Sequence, residues 1–190
     1  LDPLLVLDDH DLRSLAAEIA RAVAGAAPAS DRPAPASDRP APAPDGPAPD
    51  GPAPVMAAPE IEELAVVAHH LRFAARAFGP RDGAPLVAIH GWLDNAASFD
   101  GLAPWLGASH RVVALDLAGH GLSQHRPPGG WHHLLDYAAD TVAILDALRL
   151  ERCALIGHSM GASIAGFVAG ELPDRIVKLV LIDALGALGA

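Results

Sequence analysis

A five-residue pattern, Gly157-His158-Ser159-Met160-Gly161, places a hydroxyl nucleophile between two glycines. It follows a short apolar run and precedes a stretch rich in glycine and alanine, which predicts a tight turn from a strand into a helix. Such a nucleophile elbow holds Ser159 in a strained conformation, and the glycines remove Cβ atoms that would collide with the neighbouring chain. It also aims the amide of Met160, near a helix N-terminus, at the reacting point. The alternative, an ordinary turn with a capping serine, is disfavoured by the strand and helix on either side.

Two further segments agree with this interpretation. His90-Gly91-Trp92 follows the apolar run Leu86–Ile89, and a small residue there lets the backbone approach a ligand, so the amide of Trp92 is a candidate second oxyanion donor. The run from Asp116 to Ser123 follows the next strand, and its two glycines predict a sharp loop near the site entrance.

The order of these motifs resembles the α/β-hydrolase fold family: strand, His-Gly-Trp, strand, Asp-x-x-Gly-x-Gly-x-Ser, helix, strand, Gly-His-Ser-Met-Gly. The run from His90 to Phe99 is similar to the serine hydrolase-like branch, and the resemblance covers about residues 61–190. It implies an acyl-enzyme on Ser159 and an oxyanion held by the amides of Met160 and Trp92, each donor contributing about 3 to 4 kcal/mol.

The resemblance also implies roles for the other motif residues. His90 and Asp116 are expected to be structural, with His90 ordering the oxyanion loop. His158 should point away from the Ser159 hydroxyl as a packing or hydrogen-bonding residue. Four further histidines are expected near the entrance, touching substrate or solvent: His120, His125, His132 and His133.

The catalytic histidine and acid of the family should follow the serine along the chain, acid first. The last histidine here is His158, and the later acids are Glu171, Asp174 and Asp183. Asp183 ends an apolar strand, so it is a candidate acid, with a structural role as the alternative. The expectation is a fragment or a remnant, inactive as it stands, in which the strand ending at Asp183 forms an exposed apolar edge.

The elements that must position these residues are typical of an α/β protein. Two strands, Glu63–Ala68 and Leu71–Phe78, predict an opening antiparallel hairpin. Apolar runs without alternation predict a doubly wound, mostly parallel sheet, incomplete at its C-terminus. These runs are Leu86–His90, Arg111–Leu117, Cys153–Gly157 and Lys178–Asp183. Helices are predicted over Ser98–Leu106, His132–Leu148 and Met160–Leu172. The second has one apolar stripe, formed by Leu135, Ala138, Val142 and Leu145. Three acidic residues of this helix lie outside the stripe: Asp136, Asp140 and Asp146.

Composition divides the chain into three parts. Eleven of its 18 prolines lie between Pro28 and Pro59, so residues 26–59 are predicted to form an extended Pro/Ala-rich disordered linker. Residues 1–25 contain one amphipathic helical pattern, which is interpreted as a docking helix or as the tail of a domain cut upstream. A third interpretation is that the reading frame is over-extended and that Met56 is the true start. Residues 60–190 are the N-terminal part of the α/β domain.

The charge balance of 13 basic and 23 acidic residues disfavours nucleic acid and anionic membranes as partners. Residues 153–170 lack charged side chains but contain glycines, serines and a histidine, so they are interpreted as a soluble core segment and not a membrane span. One cysteine and the absence of a signal-peptide pattern favour the cytoplasm. No pattern indicates a metal, a nucleotide or another cofactor, and no pattern indicates an oligomeric state.

Several functions remain compatible with these motifs. The first is a serine hydrolase of small carboxylic esters or related acyl compounds. A carbon–carbon bond hydrolase, thioesterase, acyltransferase or haloperoxidase would use the same elbow, since lid and pocket decide among them. A non-catalytic binding module that kept Ser159 but has no base is a second class. A multidomain acyl-transfer assembly is a third, suggested by the Ala/Pro linker.

Overall fold

Six strands form one sheet in the order β1-β2-β4-β3-β5-β6 in the computed structural model, which describes residues 60–184. The strands are β1 (Glu62–Ala68), β2 (Leu71–Phe78), β3 (Ala84–Ile89), β4 (His110–Leu115), β5 (Cys153–His158) and β6 (Ile176–Ile182). The first two are antiparallel and join β4 antiparallel, whereas β4, β3, β5 and β6 run parallel. The predicted mostly parallel sheet with an opening hairpin is confirmed.

The hairpin between β1 and β2 closes through His69 and His70, as the sequence predicted. Both residues have positive φ angles, 46° and 65°, which suit a two-residue turn that follows the twist of the strands. The Nδ1 of the His69 ring lies 3.4 Å from the carboxylate of Asp140. The histidine pair therefore belongs to the turn and its anchor.

Three α-helices cover the sheet: α1 (Ala103–Leu106), α2 (Leu134–Ala147) and α3 (Met160–Glu171). A 3-10 helix, Ala96–Leu102, leads into α1 and is capped by the Asn95 side chain, which accepts from the amide of Ala97. Helices α2 and α3 lie within two residues of their predicted spans, whereas most of the predicted span Ser98–Leu106 is 3-10 helix and becomes α-helical only at Ala103.

The predicted apolar stripe of α2 is partly wrong. Leu135 is 66% exposed, whereas Asp140 is only 1% exposed. The helix turns so that its buried face is Tyr137, Ala138, Asp140, Thr141, Ile144 and Leu145. Burial of Asp140 is possible because Arg126 and His69 both contact its carboxylate, so the charge keeps partners inside the protein.

Two apolar cores lie on opposite faces of the sheet. One joins the sheet to α2 and α3 and includes Ile89, Leu155 and Ile164. The other joins it to the 3-10 helix and α1 and includes Ala88, Phe99 and Ile156. Because successive residues of β3 and β5 alternate between these cores, both faces of the central strands are buried, which explains their uninterrupted apolar runs.

The last strand of the described sheet, β6, exposes Leu179 and Leu181, in agreement with the predicted apolar edge. In the described part of the chain, the helices are too short or too polar to cross a lipid bilayer. The predictions for residues 1–25, residues 26–59 and Met56 lie outside the described residues.

We expect Cys153 in β5 to be chemically inert in the folded protein. Its side chain is buried, and burial raises the pKa of the thiol to about 11, so the reactive thiolate is scarce at pH 8. Ellman's reagent should react ~100-fold more slowly with the native protein than with the urea-unfolded chain, whose thiol has a pKa of about 8.5. Equal rates would show that β5 opens readily.

Candidate active site

Ser159 occupies the junction between β5 and α3, with φ 52° and ψ −116°. A positive φ is unfavourable for serine, and it persists because the turn is anchored on both sides. The amide of Ser159 donates to the carbonyl of Ile182 at 2.9 Å, and its carbonyl accepts from the amide of Ala162 at 3.0 Å. The structure thus has the strained strand-to-helix turn that the sequence pattern predicts.

The two glycines of the motif lie where any side chain would collide with backbone. A Cβ on Gly157 would lie 2.3 Å from the carbonyl oxygen of Gly161, and a Cβ on Gly161 would lie 2.1 Å from that of Ile89. Both distances are far below van der Waals contact, and the backbone carbonyls of a helix and of a central strand cannot easily move aside. The glycines therefore let α3 start directly against the ends of β3 and β5.

The segment after β3 passes close to the elbow. A Cβ on Gly91 would lie 3.3 Å from the Ser159 Cβ and 3.2 Å from the His158 Nδ1, so the absence of a side chain permits this approach. The His158 ring thus lies against Gly91. Trp92 follows with its side chain 59% exposed, and the next residue, Leu93, has a φ of 56°. The structure brings Gly91, His158 and Ser159 together, with Trp92 and Met160 adjacent to them in sequence.

His90 is completely buried, and both of its ring nitrogens contact backbone. Its Nδ1 donates to the Gly91 carbonyl at 2.7 Å, and its Nε2 accepts from the amide of Leu117 at 3.1 Å. Because Nε2 must be an acceptor in this arrangement, the ring is the neutral tautomer with a proton on Nδ1. Burial lowers the pKa of His90, in keeping with the neutral form. The second bond connects the segment after β3 to the segment that follows β4.

The pH dependence of stability should depend in part on His90. Since its pKa is lowered in the folded protein, the unfolded chain binds this proton more readily as the pH falls below about 6.5. The free energy of unfolding should therefore decrease between pH 7 and pH 5. The decrease should be smaller in His90→Gln, which cannot titrate. Urea unfolding of both proteins at the two pH values measures the difference, and equal decreases would contradict the assignment.

Asp116 lies just past β4 and is buried. Its carboxylate accepts from the amides of Ala96 and Leu122, each at 2.7 Å. A Cβ on Gly121 would overlap this carboxylate at 2.2 Å, so that glycine is needed for the loop to close. Asp116 thereby joins the loop after β4 to the start of the 3-10 helix.

The hydroxyl of Ser123 extends this network and was not singled out from the sequence, although it ends the Asp-x-x-Gly-x-Gly-x-Ser pattern. It donates to the Asp116 carbonyl at 2.6 Å and accepts from the amide of Ala74 at 2.8 Å. It therefore fixes the loop to β2.

Asp183 lies immediately after β6, exposed and with a φ of 47°. The carbonyl of the neighbouring Ile182 accepts a hydrogen bond from the Ser159 amide. The backbone of Asp183 therefore lies at the same edge of the sheet as the turn at Ser159. Within residues 60–184, no histidine is hydrogen-bonded to its carboxylate. In the same span, no three His, Cys, Asp or Glu side chains are grouped as a metal site would require.

Residues 84–188 match the family model described as alpha/beta hydrolase fold. The serine hydrolase-like protein of Danio rerio is 41% identical over 111 residues, which cover 58% of this chain and 34% of that protein. The serine hydrolase-like protein of Homo sapiens is 39% identical over 128 residues, which cover 67% of this chain and 63% of that protein. A solved structure of a hypothetical protein from Pseudomonas aeruginosa PAO1 is 50% identical with a TM-score of 0.64, covering 68% of this chain and 45% of that one. The aligned residues thus span between 34% and 63% of the length of these relatives.

Proposed function

The chain belongs to the α/β-hydrolase fold family, and on this premise we propose that it is a serine hydrolase that cleaves carboxylic esters or related acyl compounds through Ser159. The observation that carries the proposal is the φ of 52° at Ser159, at the start of α3 and beside Gly91. Residues held in such a sparsely populated backbone conformation cluster at active sites, where the strain positions a reacting group.

In the proposed mechanism, the Ser159 oxygen attacks the carbonyl carbon of the ester and its proton passes to a general base. The carbonyl electrons move to the oxygen, where the amides of Met160 and Trp92 donate hydrogen bonds to the negative charge. Collapse of this intermediate expels the alcohol, which takes up the proton and leaves an acyl group on Ser159. Water then releases the carboxylic acid by the same steps.

The base and the acid complete the proposal. His158 is the last histidine of these 190 residues and precedes the nucleophile, so none of their histidines fits the family order for the base. Asp183 lies at the same sheet edge as Ser159, and we propose it as the acid that orients this base. The alternative for Asp183 is a structural role at the end of β6.

A non-catalytic binding module is the second candidate function. It applies if no general base reaches Ser159, because a serine without a base is a weak nucleophile. Such a protein would keep the elbow while acyl compounds bind without being cleaved.

A fluorophosphonate probe separates the two candidates. Native protein isolated from its source cells should form a covalent adduct that mass spectrometry maps to Ser159. Ser159→Ala should not be labelled, whereas Ser163→Ala, one turn further along α3, should be labelled as the unmodified protein is. No labelling of the native protein would reject the hydrolase and leave the binding module.

Gly91→Ala should slow the reaction without unfolding the protein. The added Cβ would lie 3.2 to 3.3 Å from His158 and Ser159. The segment after β3, which contains Gly91 and Trp92, must therefore retreat by a few tenths of an ångström. We expect kcat to fall about 10-fold or more because the donor no longer fits the developing charge. The melting temperature should change little, since a shift of a few tenths of an ångström leaves both apolar cores in place. Measurement of p-nitrophenyl acetate hydrolysis checks this, and an unchanged kcat would contradict it.

A further inference from the structure

The loop after β4, residues 116–123, contacts the chain between β3 and the start of the 3-10 helix, residues 90–96, at two separate points. The first is the Asp116 carboxylate, which accepts the amide of Ala96 at 2.7 Å. The second is the His120 ring, which packs edge-on against the Trp92 indole with 5.9 Å between ring centroids and 73° between planes. The segment that contains the proposed Trp92 donor is therefore held from one side by a single loop.

The His120 ring is itself held in place. It lies 5.1 Å from the buried His90 ring and 6.0 Å from the buried Tyr137 ring, between centroids. Its Nδ1 lies 3.1 Å from the Ala118 carbonyl, to which it donates. The flanking glycines, Gly119 and Gly121, have φ angles of 78° and 51° and bend the loop so that the ring reaches this position.

Trp92 has a particular need for such a contact. More than half of its side chain is exposed, and Leu93 beyond it has a φ of 56°, which is unfavourable for leucine. A displacement of the Trp92 backbone would move its amide and its indole together, so a contact that holds the indole also restricts the amide. An aromatic contact with a fixed ring restricts that rotation.

We propose that His120 is a positioning residue, which holds the Trp92 indole and thereby keeps the Trp92 amide directed at the oxyanion. The proposal rests on the proposed function, because it assigns Trp92 as an oxyanion donor. The required property of residue 120 is a flat ring in this place, and not a titratable nitrogen.

The kinetic test compares three variants of the native-length protein with p-nitrophenyl acetate. His120→Ala should lower kcat about 10-fold while KM changes less than about twofold, because a donor that acts on the developing charge is misplaced. His120→Phe should restore most of kcat, since phenylalanine keeps a ring. Leu122→Ala, an exposed side chain in the same loop, should leave both constants unchanged. A His120→Phe variant as slow as His120→Ala would overturn the proposal.

A second readout does not depend on activity. The protein contains three tryptophans, so labelling with 5-fluorotryptophan gives three ¹⁹F NMR signals, and Trp92→Phe identifies that of Trp92. His120→Ala should shift and narrow the Trp92 signal while the Trp131 signal stays in place, and His120→Phe should largely restore it. An unmoved Trp92 signal would overturn the proposal even if the protein hydrolyses nothing. A moved signal in a protein without hydrolysis would support the contact and reject only the proposed function.

Discussion

Replacement of Ser159 by alanine is expected to abolish ester hydrolysis, with kcat falling on the order of 10⁵-fold or more. The hydroxyl is the proposed nucleophile, and the oxyanion donors alone give only a small residual rate. Alanine keeps the positive φ of 52°, so the folded structure and its thermal transition should change little. The rate of p-nitrophenyl acetate hydrolysis and the melting temperature of the native-length protein check both parts.

A matched variant separates function from strain at the same position. Ser159→Gly should lose activity to the same extent, yet its free energy of unfolding should rise by about 1 kcal/mol because glycine adopts a positive φ without steric cost. Stability gained as activity is lost is the signature of a strained functional residue. Retention of activity in both variants would mean that another group is the nucleophile.

Replacement of Gly161 by alanine is expected to be strongly destabilising, by about 3 kcal/mol or more. The new Cβ would lie 2.1 Å from the Ile89 carbonyl oxygen and 2.6 Å from that of His90. These atoms belong to β3 and its end, in the centre of the sheet, so α3 itself must move away from the core. Urea unfolding monitored by circular dichroism measures the loss.

Gly166→Ala, in the same helix, is the control. Nothing lies within 4 Å of the position that its Cβ would occupy, so the substitution should stabilise the protein by about 0.5 to 1 kcal/mol through the better helix propensity of alanine. The two glycine-to-alanine variants should therefore differ by about 4 kcal/mol although they change the same atoms. Similar stabilities would mean that α3 does not pack closely against β3.

Most of the sheet could be predicted from the sequence because its signal is local. The apolar runs of β3, β4 and β5 are uninterrupted since both faces of a central strand are buried, and the hairpin through His69 and His70 joins two short runs directly. The buried face of helix α2 was harder to predict from the sequence. Its apolar pattern alone suggested Leu135 as a core residue, and nothing in the sequence near Asp140 showed that Arg126 and His69 would reach it.

The candidate site divides in the same way. The family and the strand-to-helix turn at Ser159 were predictable from the chain alone, because such a turn requires glycines at fixed short spacings, and the same pattern makes Ser159 the candidate nucleophile. Only the tertiary structure showed that both nitrogens of His90 contact backbone, that Asp116 connects two loops, and that His120 packs against Trp92. Apart from the bond between His90 and Gly91, these contacts join residues about 20 to 30 positions apart. Such residues meet only when parallel strands end at one edge of a sheet, and no local pattern encodes that distance.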